Sequence, residues 1–204
     1  MLDSDALVLA DVAGLHDTDL EGCVIAACVD PFIPTVSSID GLHDFARSGM
    51  PADTPYFNAG MMVADLRRWR QERVGKRSLQ YIEREHRHLR QYDQDALNAV
   101  LAGRWKLLDG SWNTQPRTPN ALGIPLPRQV RIVHFSGRLK PWVYRGRTEL
   151  DRLYLETLHR TDWHDFRLQS TWQARAWTLY DSPLRRLVHG IECRMHALQR
   201  AFTK

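Results

Sequence analysis

The sequence is poor in cysteine, and its three cysteines form no pattern that a cross-linked or zinc-binding domain requires. Cys23, Cys28 and Cys193 are odd in number and include no Cys-x-x-Cys pair. We therefore expect neither a disulfide framework nor a zinc site. A reducing compartment is the expected setting.

Long apolar runs are also missing, because no stretch approaches the roughly 20 residues that a membrane-spanning helix needs. The first fifteen residues contain three aspartates and no Lys or Arg. This composition is unlike that of a cleavable export signal. We expect a cytoplasmic protein without a transmembrane segment.

Charge is unevenly distributed along the chain, although the formal net charge is only +4. Residues 1–65 contain eleven acidic residues and one basic residue, whereas residues 182–204 contain one acidic and five basic residues. Such asymmetry fits a surface for nucleic acid or anionic lipid, or a folded domain that brings its acidic and basic segments together. For residues 1–181 we favour the folded domain. The basic residues there alternate with Glu and follow no nucleic-acid-binding module, so we expect no nucleic acid partner.

Apolar runs predict three strands, in "CVIAACVD", "YFNAGMMVADL" and "VRIVHFSG". Residues 66–91 read as a charged helix weakened near Gly75, with four apolar residues expected to face inward: Leu66, Trp69, Leu79 and Ile82. "YDQDALNAVLAG" predicts a second helix that begins at Asp93 as N-cap and stops near Gly103. The order of strand, loop, strand, helix, helix and strand indicates an α/β protein with an at least partly parallel sheet.

The C-terminal residues 182–204 predict a basic amphipathic helix. Ser182 is the expected cap, Pro183 occupies the first helical position, and apolar residues recur at helical spacing. Such a helix either packs its apolar face on the domain, which we favour, or makes a peripheral contact with an anionic membrane.

Polar residues cluster where the predicted strands end, which is where open α/β sheets bind ligands. They are Asp3, Asp5, Asp30, Asn58, Asp93, Gln94 and His134. Taken singly, Asp93 also fits a helix cap, Asn58 a turn and His134 a structural hydrogen bond. Two carboxylates and one imidazole suit Mn²⁺ or Mg²⁺ better than zinc, and Lys140 could contact phosphates bound to the same ion.

Four segments resemble, in order, the motifs of glycosyltransferase family 8: "LDSDALVLADVAGL", "YFNAGMMVADLRRW", "DQDALNAVL" followed by "WKLLDGSWN", and "IVHFSGRLKPW". This family contains retaining, metal-dependent enzymes, including lipopolysaccharide galactosyl- and glucosyltransferases and glycogenin. The resemblance implies a GT-A, Rossmann-like fold for nucleotide-diphospho-sugar transfer. Because the family has strands before its Asp-x-Asp motif, it also implies an incomplete fold that lacks these first strands.

The resemblance assigns a role to each candidate residue. Asp3, Asp5 and His134 correspond to the metal ligands, and Gly137 and Lys140 to the residues that contact the diphosphate. Asp30 and Asn58 match positions around the donor sugar. Gln94 would lie beneath the anomeric carbon and Asp93 would hold sugar hydroxyls, with Asp93 also the candidate nucleophile of a covalent route.

The expected protein is a hexosyltransferase that moves glucose or galactose from a UDP-hexose to a saccharide acceptor, such as lipopolysaccharide or another surface glycan, with Mn²⁺ or Mg²⁺ as cofactor. Residues 1–150 would be the C-terminal part of the catalytic domain, and residues 151–204 a helical tail. The alternative is a catalytically impaired fragment that acts as a non-catalytic binding module. Donor hydrolysis to free sugar separates the two.

Overall fold

The computed structural model describes residues 1–116, 129–137, 140–143 and 148–168, together with Trp172 and Ala176. These residues form two structural units. The first contains Met1–Asp3 and Ala10–Asn113, and the second contains Ser4–Leu9 and the described residues from Thr114 onward. The sequence-based division at residue 150 stays a prediction, and the basic helix expected at 182–204 lies outside the described residues.

The described chain alternates short strands with helices. In order these are β1 (Ala6–Val8), α1 (Ala13–His16), β2 (Ile25–Val29), β3 (Phe57–Ala64), α2 (Leu66–Gln71), α3 (Val74–Glu85), α4 (Asp93–Leu101), β4 (Lys106–Leu107), a 3-10 turn (Gly110–Asn113), β5 (Ile132–His134) and α5 (Glu149–Leu158). Among the described residues no helix is long and apolar enough to cross a bilayer.

The first unit is built on a three-stranded sheet in the order β3, β2, β4. β2 pairs antiparallel with β3, from Ile25 opposite Ala64 to Val29 opposite Phe57, and parallel with β4. The expectation of an α/β protein with a partly parallel sheet is therefore confirmed. β2 is the central strand of the three, which explains its uninterrupted apolar sequence.

Apolar side chains of β2, β3 and α4 form the main core of this unit. Ile25, Phe57 and Leu101 are fully buried, and Trp105 packs its ring edge against Phe57 with centroids 5.2 Å apart. Val74, at the start of α3, belongs to the same cluster. The core thus fixes α4 against the sheet, which determines where the residues of its first turn lie.

The charged helical segment is broken at Arg73, two residues before Gly75. Arg73 has φ +53°, which ends α2 and starts α3 in a new direction. The four residues of α3 that face inward are Val74, Ser78, Tyr81 and Glu85. The prediction that Leu66 and Leu79 face inward is wrong, since these side chains are 61% and 62% exposed. A single helical period over residues 66–91 could not anticipate this change of direction.

The start of α4 also differs from the prediction. Tyr92, not Asp93, is the N-cap, and no side chain caps the helix there. Instead, the buried Asp95 accepts hydrogen bonds from the backbone N–H groups of Arg90 and Gln91 at 2.7 and 2.8 Å. The helix stops at Ala102 and Gly103, both with positive φ, as the glycine predicted.

The second unit contains an antiparallel pair of short strands, β1 and β5, with Ala6 opposite His134. β1 follows the Asp-x-Asp motif in the chain and brings Asp5 to the end of β5. Helix α5 begins with a capping box between Thr148 and Asp151. Tyr154 of α5 packs edge-on against Phe135, with ring centroids 5.3 Å apart.

Candidate active site

Asp5, His134 and Lys140 form one cluster in the second unit. Because β1 and β5 pair with Ala6 opposite His134, the Asp5 backbone carbonyl accepts from the Phe135 N–H at 2.9 Å. This pairing places the His134 Nε2 3.3 Å from the Asp5 Oδ1, and the Lys140 ammonium donates to the Asp5 Oδ2. The structure therefore brings together three residues that the sequence analysis had assigned to metal and diphosphate binding.

The electrostatics of this cluster keep Asp5 ionised. Burial acts to raise the pKa of Asp5, but the hydrogen bonds that it accepts from His134 and Lys140 and its electrostatic interactions with these two side chains outweigh it. The result is a pKa well below the ordinary 3.8. A permanently charged carboxylate beside an imidazole is a donor set that suits Mn²⁺ or Mg²⁺, so these residues fit the metal that the sequence implied.

Lys140 lies six residues after His134 in the chain and contacts the same cluster. Gly137 has φ +74°, a conformation that L side chains rarely adopt. Lys140 Nζ also donates to the backbone carbonyl of Phe135 at 2.7 Å and lies 5.9 Å from the centroid of the Trp142 ring. Gly137 thus has a backbone conformation that favours glycine, and Lys140 brings a positive charge to Asp5.

Asp3 is the last residue of the first unit before the chain continues into the second unit at Ser4. Its backbone N–H donates to the carbonyl of Gly60 at 2.8 Å, which fixes the first residues of the chain along β3 of the first unit. The Met1 ammonium reinforces this attachment by donating to the Met62 carbonyl at 2.7 Å. Asp3 is exposed and lies one residue before the second unit, whereas Asp5 lies within it.

A second group of predicted residues forms a buried amide and carboxylate network in the first unit, which we call the Asp30 network: Asp30, Asn58, Gln94 and Asn113. Asp30 follows β2 and accepts four N–H hydrogen bonds. Its Oδ1 accepts from the backbone of Phe32 and Ile33 at 2.9 and 3.2 Å. Its Oδ2 accepts from Asn58 Nδ2 at 2.9 Å and Gln94 Nε2 at 3.1 Å. Asp30 is thus the acceptor on which the network converges.

The Gln94 amide is held at both ends. Its Oε1 accepts from the backbone N–H of Ala59 at 2.9 Å while its Nε2 donates to Asp30. Gln94 is 9% exposed, so only a small part of this residue is in contact with solvent. Since an amide oxygen has two lone pairs, Gln94 Oε1 keeps the capacity to accept one more hydrogen bond. The network therefore orients the Gln94 amide and leaves it able to form a further hydrogen bond.

Asn113 is a member of this network that the sequence analysis missed. Its Nδ2 donates to Asn58 Oδ1 at 2.9 Å, and the same oxygen accepts from the Gly60 N–H at 3.0 Å. Asn113 ends the 3-10 turn that follows β4. The signal was present in the quoted segment "WKLLDGSWN", but nothing in its spacing pointed to a contact with β3.

Asn98 was also missed, and it fixes α4 to β3. Its Oδ1 accepts from the Phe57 N–H at 2.8 Å, and its Nδ2 donates to the carbonyls of Phe57 and Gln94, both at 2.9 Å. Asn98 lies four residues after Gln94, so helical periodicity could have placed both on one face. These hydrogen bonds fix the position of Gln94 relative to β3, the strand that contains Asn58.

Asp93 differs from its neighbours because it is exposed, in the first turn of α4. A carboxylate in this turn is favourably placed relative to the helix dipole. It is therefore available to solvent, whereas Asp30 is buried and fully engaged as an acceptor. Of the two carboxylates, Asp93 is the one that can accept hydrogen bonds from the hydroxyl groups of a ligand in solution.

Solved glycosyltransferases share the fold of this chain, which is of the GT-A type. The structure of the galactosyltransferase LgtC in complex with donor and acceptor sugar analogs superposes with a TM-score of 0.66 at 24% identity, covering 84% of this chain and 63% of LgtC. The glycosyltransferase GlyE of Streptococcus pneumoniae matches with a TM-score of 0.61 at 24% identity, covering 81% and 40%.

The chain belongs to glycosyl transferase family 8, whose sequence profile matches residues 1–146. General stress protein A of Bacillus subtilis is 32% identical over 177 residues, covering 80% of this chain and 59% of that protein. The lipopolysaccharide 1,2-glucosyltransferase of Escherichia coli is 23% identical over 172 residues, covering 80% and 49%. The chain thus spans about half the length of the curated relatives it matches.

Proposed function

We propose that this protein is a retaining hexosyltransferase that transfers glucose or galactose from a UDP-sugar to a saccharide acceptor, with Mn²⁺ or Mg²⁺ bound. The observation that carries the proposal is the convergence of Asp5, His134 and Lys140 in a chain of glycosyl transferase family 8. The lipopolysaccharide glucosyltransferase among its relatives makes a surface glycan the first acceptor to test.

Asp3, Asp5 and His134 are the proposed metal ligands, and their two carboxylates and one imidazole leave coordination positions for diphosphate oxygens. The ion would neutralise the departing diphosphate, which is the main electrostatic demand of the reaction. Lys140 is a second positive group for the same diphosphate. In the structure its ammonium donates to Asp5 and to the Phe135 carbonyl, so a phosphate would share the ammonium with these two partners.

Gln94 and Asp93 are the proposed residues beside the transferred sugar. Gln94 is oriented by Ala59 and Asp30, and we assign its remaining hydrogen-bonding capacity to the anomeric centre. Asp93 would hold sugar hydroxyls. Asp30 is a poor nucleophile because four N–H groups already occupy its oxygens. We assign the attack to the acceptor, on the face that the diphosphate leaves, with Asp30 and Asn58 as supports of the sugar site and Asp93 as the nucleophile of the alternative covalent route.

Calorimetric titration of UDP into the full chain, with Mn²⁺ and again with EDTA, tests the donor site. We expect binding that requires the metal and that is abolished by Asp5→Ala or His134→Ala. Asp53→Ala, which removes an exposed carboxylate in a loop of the first unit, is the matched control and should bind UDP as the wild type does.

Hydrolysis of UDP-galactose and UDP-glucose without an acceptor tests the chemistry. A competent donor site should release free hexose from one of them in the presence of Mn²⁺. Binding of UDP without hydrolysis of either donor would instead support a non-catalytic binding module. Metal-independent UDP binding that survives His134→Ala would contradict the proposed metal site.

A further inference from the structure

Tyr92 combines two features that do not normally occur together, an unfavourable backbone and an exposed aromatic ring. Its φ of +50° and ψ of −109° lie close to the mirror-image turn position, at about +60° and −120°, that glycine usually occupies. The ring is 72% exposed. Neither the backbone nor the ring is therefore explained by packing of Tyr92 itself.

The surrounding structure holds the Tyr92 backbone in place. Asp95 accepts from the N–H groups of Arg90 and Gln91, and the Gln91 carbonyl accepts from the Gln94 N–H at 3.0 Å. The Tyr92 carbonyl accepts from the Ala96 N–H at 3.2 Å. These contacts would form equally well with glycine at position 92, and glycine would relieve the strain.

The Tyr92 ring has no structural partner in the described part of the chain. No hydrogen bond or ring contact joins it to another described residue. Strained residues of this kind concentrate at functional sites, where the unfavourable conformation serves to present a side chain. Tyr92 directly precedes Asp93, which is exposed too, and lies two residues before Gln94 in the chain.

An exposed aromatic ring and an exposed carboxylate on neighbouring residues are a typical combination for binding a pyranose. The apolar C–H face of the sugar packs on the ring, and the carboxylate accepts from its hydroxyls. We propose that Tyr92 stacks on a pyranose ring of the saccharide acceptor and contributes to acceptor selection. This inference rests on the proposed function, because it takes Gln94 as the residue beside the transferred sugar.

We assign Tyr92 to the acceptor and not to the donor sugar, because the exposed fraction of the residues rises from Gln94 to Tyr92. Gln94 is 9% exposed and belongs to the Asp30 network, whereas Tyr92 is 72% exposed. The transferred sugar must reach Gln94 from the solvent side, and the acceptor then arrives outside it. Tyr92 lies on that outer part of the segment.

Saturation-transfer NMR on the full chain, with methyl β-D-galactopyranoside and methyl β-D-glucopyranoside as probes, tests the contact directly. Irradiation of aromatic protons should transfer saturation to at least one glycoside in the wild type and in Tyr92→Phe. The signal should be lost in both Tyr92→Ala and Tyr92→Gly. Equal transfer in the wild type and Tyr92→Gly, or no transfer in the wild type, would overturn the proposal.

Kinetics separate this proposal from the proposed function. Hydrolysis of the UDP-sugar by the wild type reports the donor site, and in Tyr92→Ala and Tyr92→Gly the KM for the donor should change by much less than the KM for the acceptor. The KM for the acceptor glycoside should rise about tenfold in both, which corresponds to about 1.4 kcal/mol. A change confined to the donor KM would contradict the acceptor assignment, whereas absence of hydrolysis in the wild type would count against the proposed function alone.

Thermal unfolding checks the strain with an internal control. Tyr92→Gly should unfold about 3 °C above Tyr92→Ala, because only glycine relieves the positive φ. At Gln80, an exposed position within α3, the order should be reversed, with Gly below Ala. A lower unfolding temperature for Tyr92→Gly than for Tyr92→Ala would show that the backbone is unstrained and would remove the argument for a presented ring.

Discussion

The Tyr56 hydroxyl donates a 2.6 Å hydrogen bond to Asp95 Oδ1, and both side chains are buried. Tyr56 immediately precedes β3, and Asp95 lies in the first turn of α4. Burial, and then the negative charge of Asp95, raise the pKa of Tyr56, so the phenol remains a donor. This pair ties the segment that carries Asp93 and Gln94 to the strand that carries Asn58.

Tyr56→Phe should therefore lower both stability and turnover. The change removes one of the three hydrogen bonds that Asp95 accepts, and the expected loss in the free energy of unfolding is about 1–2 kcal/mol. Urea denaturation with an unchanged m value measures it. We also expect a lower kcat for UDP-sugar hydrolysis with little change in donor KM, since the orientation of Gln94 is affected.

Tyr81→Phe is the matched control for this prediction. Tyr81 donates to the buried Asp44 at the same distance, 2.6 Å, but from α3 and away from the segment before α4. It should lose a similar amount of stability without losing turnover. If both variants lose turnover equally, the Tyr56 bond acts through global stability only.

Cys28 should be the slower of the two described cysteines to react with alkylating reagents. Its Sγ donates to the carbonyl of Asp109 at 3.3 Å, and burial, then the charge of Asp109, raise the pKa of Cys28 to about 12. Because the thiolate is the reactive form, native Cys28 should be modified by iodoacetamide at pH 8 at least about tenfold more slowly than Cys23, which is partly exposed. Peptide mass spectrometry measures the two rates, and unfolding in urea should make them equal.

The raised pKa of Cys28 also predicts how stability depends on alkaline pH. The folded protein holds this proton more tightly than the unfolded chain does, so the contribution of Cys28 is fully present below pH 9.0 and is lost as pH rises toward 12. Cys28→Ala should therefore lose less stability between those two pH values than the wild type loses. An identical loss in both would show that other groups, such as the buried tyrosines, account for the whole effect.

Trp105→Ala should destabilise the first unit by about 3 kcal/mol or more, because it opens a cavity beside Phe57 and the centre of the core. Leu79→Ala is the comparison, since Leu79 is 62% exposed. We expect it to change stability by less than about 0.5 kcal/mol. Chemical denaturation of the two variants distinguishes the observed core from the one that a continuous helix over residues 66–91 predicts.

The sequence predicts the elements of this fold better than it predicts their contacts. The strands β2, β3 and β5 lie within continuous apolar runs and could be located. β1 and β4, of three and two residues, were not predicted, because β1 directly follows the acidic Asp-x-Asp motif and β4 contains only Lys106 and Leu107. The predicted inward face of α3 was wrong because Arg73 adopts a positive φ. Nothing in the composition of "RQERVGKR" indicates that conformation at an arginine.

The candidate site shows the same limit. Asp5, His134 and Lys140 were identified from their motifs, and they form one cluster in the structure, whereas their roles in metal and diphosphate binding stay predictions. Asn113 and Asn98 were missed, because their roles depend on which carbonyl or amide group a folded neighbour presents. Residue type and spacing specify the chemistry of a site, whereas its supporting hydrogen bonds follow from tertiary packing.

Gly137→Ala should weaken the Lys140 contact through the backbone. A Cβ at Gly137 would meet nothing within 4 Å, so the cost comes from its φ of +74° and not from a clash. We expect a loss of about 1 kcal/mol in stability and weaker binding of UDP in the presence of Mn²⁺, because Lys140 would no longer be held next to Asp5.

Gly14→Ala is the control, because a Cβ at Gly14 would also meet nothing within 4 Å but the backbone there is helical and not strained. It should be neutral or slightly stabilising, because alanine is the better helix former. Calorimetric titration of UDP measures both variants. Unchanged UDP affinity in Gly137→Ala, with the expected loss of stability, would mean that Lys140 reaches the diphosphate independently of the backbone conformation at Gly137.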